Sequence, residues 1–105
     1  MRTNGLDQIA ALAEGTRRQI FEFLTRQPCA VGELAAQLPV TRSAVSQHLK
    51  VLQDAGLVGH RKSGTRHVYH IDPEGVAKLR AYLERTWEQA LLNFKTLAEE
   101  EENQA

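Results

Sequence analysis

At 105 residues, with 42% hydrophobic and 25% charged side chains, the chain has the composition of one globular domain with a modest core. No apolar run reaches the length of a membrane span and Met1-Arg2-Thr3-Asn4 leads into no apolar signal segment, so a cytoplasmic location is expected. The single cysteine, Cys29, excludes an intrachain disulfide and a cysteine-rich metal site, while a formal net charge of zero gives no general pull toward nucleic acid.

Residues 6–13 (LDQIAALA) are apolar at Leu6, Ile9, Ala10, Leu12 and Ala13, which predicts a short amphipathic helix broken at Gly15. Thr16 is the expected N-cap of a second helix, RRQIFEFLTRQ, with Ile20, Phe21, Phe23 and Leu24 as its apolar stripe and Pro28 beyond its end. A third helix has Val31, Leu34, Ala35 and Leu38 at i, i+3, i+4 and i+7, and stops before Pro39. Thr41 caps a fourth helix, which closes at Gly56.

After Gly56 the period changes. Residues 57–62 (LVGHRK) and 66–71 (RHVYHI) read as two strands joined by Ser63-Gly64-Thr65. Asp72-Pro73 starts a last helix over about 74–100, where Leu83, Trp87, Ala90, Phe94 and Leu97 recur at steps of four and three and Leu91 and Leu92 widen the stripe. That stripe exceeds what so short a chain can cover, and each large apolar group left in water forfeits roughly 1.5–3 kcal/mol. A second copy of the chain, meeting this stripe and Leu6 and Ile9 of the first helix, is the expected cover.

The charge balance is segregated. Residues 41–70 carry Arg42, Lys50, Arg61, Lys62 and Arg66 against Asp54 alone, whereas residues 74–105 are net acidic and include Glu99-Glu100-Glu101-Glu102. Screening over about 8–10 Å makes the local balance the one a phosphate feels. The fourth helix also divides by face at about 100° per residue. Ala44, Val45, Leu49, Val51, Leu52 and Ala55 fall inward; Arg42, Ser43, Ser46, Gln47, Lys50, Gln53 and Asp54 fall outward. Short hydroxyls, an amide and long cations are the groups that meet base edges and phosphates.

The string VGELAAQLPVTRSAVSQHLKVLQDAGLV, followed by HRKSGTRHVYHID, resembles the helix-turn-helix and wing of the ArsR-type winged-helix transcriptional repressors, and the likeness runs over about residues 6–98. It implies a mainly α fold of about five helices with a small β-hairpin wing, in one domain over residues 1–105. The helix-turn-helix would occupy 31–55, the wing 57–71, and a dimerisation helix with an acidic tail 74–100. It also implies a homodimer on an inverted-repeat operator, with double-stranded DNA as partner and no membrane. The family's thiolate motif aligns with Ala30-Val31-Gly32, and its zinc positions in the last helix align with Glu74, Val76, Trp87 and Ala90. The chain therefore looks like the subgroup without metal ligands, and no cofactor is expected.

In this reading Arg42, Ser43, Ser46 and Gln47 face the bases, while Lys50 and the wing residues Arg61, Lys62, Ser63, Thr65 and Arg66 face the backbone. Leu6, Ile9, Leu83, Trp87, Ala90, Leu91, Phe94 and Leu97 form the dimer contact. His48 falls between Val45 and Leu52 and is expected to pack inward; His60, His67 and His70 straddle two strands without a joining carboxylate or thiolate. Cys29 reads as a small buried hydrophobe. A metal- or redox-responsive repressor of this fold, and a winged helix used only for protein contacts, stand as alternatives. With no glycine-rich phosphate loop, nucleophile–base pair or paired carboxylates in a recognisable context, an enzyme is not expected.

Overall fold

The computed structural model describes residues 5–104, so Met1–Asn4, on which the signal-segment expectation bears, and Ala105 lie outside it. The elements run α1 (Gly5–Ala13), α2 (Gly15–Arg26), β1 (Cys29–Ala30), α3 (Val31–Gln37), α4 (Arg42–Asp54), β2 (Val58–Ser63), β3 (Arg66–Ile71) and α5 (Pro73–Gln104). The order matches the sequence expectation, with β1 in addition. β1 pairs antiparallel with β3 through Cys29↔Tyr69 and Ala30↔Val68, giving a sheet of order β1-β3-β2. Two residues are too short a run to show period-two alternation.

The core is drawn mainly from α1 to α4 and the residue before β2: Ala11, Ile20, Leu24, Leu34, Val45, Leu49, Leu52 and Leu57 are among the buried set. On α4 the buried positions are Val45, Leu49 and Leu52, at spacings of four and three. Val51, expected inward, is instead exposed and borders a shallow depression with Ala10 and Asp54. It lies about 100° from Leu52, at the edge of the apolar arc.

The caps explain the boundaries. Thr41 Oγ1 accepts the Ala44 N–H at 3.1 Å and starts α4 as expected. The α2 cap is Glu14 and not Thr16: its Oε2 accepts the Arg17 N–H at 2.8 Å, and the helix begins at Gly15. A carboxylate competes well for this position because it also meets the positive end of the helix. Asp72 Oδ1 accepts from the N–H groups of Glu74 and Gly75, with Pro73 at the first helical position of α5.

Three close approaches fix α5 against the rest. A Cβ at Gly75 would lie 1.5 Å from the Gly56 carbonyl oxygen, and one at Gly5 would lie 2.1 Å from Cγ of Tyr82. Gln8, fully buried, donates from Nε2 to the Gly75 carbonyl at 2.7 Å. The small side of α1 (Gly5, Gln8, Ala11) therefore faces inward, and its large residues Leu6 and Ile9 face out.

Candidate nucleic-acid interface

The expected contact residues lie on α4 and the β2–β3 hairpin. Arg42, Ser43, Ser46, Gln47 and Lys50 are all exposed, as are Arg61, Lys62, Ser63, Thr65 and Arg66. Lys50 Nζ is 3.9 Å from Asp54 Oδ2 one turn on, an exposed pair that leaves the cation available to a phosphate. The hairpin pairs Ser63 with Arg66, so its loop is Gly64-Thr65, and Gly64 has a φ of 65°. Positive φ at the first of two loop residues is the tight turn that glycine admits without strain.

Arg42 does not simply point outward. A Cβ at Gly32 would lie 2.6 Å from an Arg42 terminal nitrogen, so the guanidinium rests over the bare backbone of Gly32 in α3. Across an open groove stands Arg66 of the wing, paired with Glu33 of α3. Glu33 Oε1 also accepts the Ala30 N–H at 3.1 Å, tying the start of α3. Neither Gly32 nor Glu33 was among the expected site residues. The sequence signal was present only as a glutamate in the third position of a helix, where it reads as a cap.

The histidines separate as their faces require. His48 is half-buried: its Nδ1 is 3.8 Å from Glu14 Oε2 and 3.5 Å from an Arg17 terminal nitrogen, beside α2 and away from the exposed face of α4. Glu14 is held below the ordinary glutamate range, first by the N–H of Arg17, then by that of Thr16 and by the charge of His48. His60 and His67 stack edge-on with centroids 5.3 Å apart, and His60 Nδ1 meets Gln53 Oε1 at 2.9 Å. His70 pairs across the hairpin with Gly59 and turns its Nδ1 to the Ile71 carbonyl. Among the described residues no three His, Cys, Asp or Glu side chains stand close enough to hold a metal ion. Cys29 is buried, its thiol pushed up by desolvation and then by the charge of Glu33.

On α5, Leu83, Trp87, Leu91, Phe94 and Leu97 are 49–72% exposed, and Leu6 and Ile9 of α1 are exposed as well. Ala90 is exposed between them. Leu92, expected to widen the stripe, points about 180° away from Leu83 and is isolated on the polar side of the helix.

Three helices, a tight turn before a helix with one exposed polar face, and a basic hairpin define a winged helix-turn-helix protein. A family model described as a helix-turn-helix domain matches residues 12–61. The chain is 57% identical over 91 residues to the HTH-type transcriptional regulator Rv2034 of Mycobacterium tuberculosis, covering 87% of this chain and 85% of that protein. Among solved structures it resembles an ArsR-like transcriptional regulator from Rhodococcus sp. RHA1, with a TM-score of 0.74, 34% identity, and 90% and 92% of the two chains covered. It also resembles the homodimeric winged helix-turn-helix DNA-binding domain Mb0332 of Mycobacterium bovis, with a TM-score of 0.62, 37% identity, and 82% and 83% covered. The chain belongs to the ArsR-type winged-helix transcriptional regulators, a family of DNA-binding proteins and not of enzymes. No helix among the described residues is long and apolar enough to cross a membrane.

Proposed function

We propose that the chain acts as a homodimeric repressor, one domain per protomer, on an inverted-repeat operator in the cytoplasm. The observation that carries this reading is that Arg42 of α4 and Arg66 of the wing line one open groove, beside further exposed cations on both elements, in a chain with no net charge. Arg42, Ser43, Ser46 and Gln47 enter the major groove and read base edges; a glutamine in this place pairs bidentately with adenine. Lys50, Arg61, Lys62, Ser63, Thr65 and Arg66 hold the backbone on either side.

The dimer is supported by the exposed apolar row on α5 together with Leu6 and Ile9. Burying Trp87 and Phe94 against a second copy stabilises by roughly 1.5–3 kcal/mol each. Two α4 helices related by a two-fold axis then present themselves to half-sites about one helical turn apart. Footprinting on the protein's own upstream DNA tests the proposal: protection of two such half-sites is expected, and protection of a single asymmetric site, or none, contradicts it.

A further inference from the structure

We propose that Glu33 is a specificity-determining residue that withholds the wing arginine, Arg66, from DNA of arbitrary sequence. The inference rests on the DNA-binding reading above and deepens it. Among the described residues Glu33 is the one carboxylate lining the groove bounded by Arg42 on the α4 side and Thr65 and Arg66 on the wing. Its Oε1 is held from one side by the Ala30 N–H and takes Arg66 from the other. Because a helix cap fixes the carboxylate, it acts as a stationary counter-charge 33 residues away in sequence from the cation it holds.

Both side chains are about half exposed, 49% for Glu33 and 59% for Arg66. An exposed pair of this kind shifts an equilibrium by about fivefold at most, so a well-placed phosphate displaces it. On DNA of arbitrary sequence no base contacts lock α4 in register, the wing is pressed on no defined phosphate, and Glu33 keeps its arginine. On the operator, base contacts by α4 fix the register and Arg66 is exchanged from carboxylate to backbone. Non-specific binding thus draws on one fewer cation per protomer than the wing contains.

The test uses the full chain and a labelled duplex of scrambled sequence, with affinity measured across a salt series for wild type, Glu33→Gln, Arg66→Gln and the double variant. Glutamine retains an oxygen for the Ala30 N–H, so the cap survives. Glu33→Gln is expected to bind the scrambled duplex severalfold more tightly, with the log–log salt slope steeper by about 0.9 per protomer. Arg66→Gln alone is expected to leave the slope near that of wild type, and to abolish the steepening when combined with Glu33→Gln. An unchanged slope in Glu33→Gln, or equal steepening in the Arg66→Gln background, overturns the proposal alone. A wild type that binds no duplex at any salt overturns the DNA-binding reading with it.

Discussion

Gln47 and Lys50 sit three residues apart on α4 and test different physics. Gln47→Ala removes a two-pronged amide that discriminates between bases, so it is expected to lose about 1–3 kcal/mol on the operator and little on a scrambled duplex. Lys50→Ala is expected to weaken both alike and to flatten the salt slope by about 0.9. Equal loss on both duplexes for Gln47→Ala contradicts its role as a base reader. Cys29 makes a third test: buried and with its thiol pushed up, it holds little thiolate at neutral pH. A thiol reagent is expected to modify native protein slowly and denatured protein fast, with operator affinity unchanged where native modification stays incomplete.

Glu14 supplies a pH signature at the same scale. Its carboxyl lies below the ordinary glutamate range in the folded chain, held by the Arg17 and Thr16 N–H groups. A lowered folded value means the stabilisation is fully present above the ordinary glutamate range and is lost as pH falls through the lowered value. Thermal unfolding of Glu14→Gln is therefore expected to fall below wild type at neutral pH and to converge with it in acid. A constant gap at all pH values contradicts the assignment. The individual residues most legible in the sequence were those whose exposure follows from helix angle alone, such as Ser46 and Gln47 facing out and His48 facing in. Glu33 and Gly32 were not legible, because their importance lies in Arg66 and Arg42, which reach them through the fold and not through the chain.

At the level of elements, boundaries and faces were readable where one strong signal acted. Thr41, Pro39 and Gly56 delimit α3 and α4 as their chemistry requires, and Gly56 has the positive φ of 77° expected of a helix-terminating glycine. At α2 the strong cap residue Thr16 gives way to Glu14, which is no common N-cap but whose carboxylate also meets the positive end of the helix. Strand β1 escaped notice because a two-residue strand is defined by its partner β3. Removing the α4 cap with Thr41→Ala is expected to cost about 1 kcal/mol of unfolding free energy while weakening DNA binding through the same helix end. In the proposed dimer the α5 stripe carries the assembly. Trp87→Glu is expected to give monomers by light scattering with far-ultraviolet helicity largely retained, and a dimer that persists contradicts the proposed contact.

The whole molecule measures 68 × 27 × 24 Å, with a radius of gyration of 18.5 Å against about 13 Å for a compact chain of 100 residues. The excess is α5, whose 32 residues extend about 48 Å and carry their apolar row beyond the body that holds the reading helix. The proposed dimer would thus separate assembly, on α1 and α5, from DNA reading, on α4 and the wing, with α5 tied to the body where Gly75 meets Gly56 and Gln8. The zero net charge follows from the same division, basic on α4 and the wing and acidic toward the end of α5. The most direct test of this account is the affinity of the purified dimer for its own upstream DNA and for a scrambled duplex of equal length, measured across a salt series. The expected result is one dimer per inverted repeat, at least 10³-fold tighter than the scrambled duplex, with affinity for both falling steeply as salt rises. Equal affinity for the two duplexes, or affinity indifferent to salt, would contradict it.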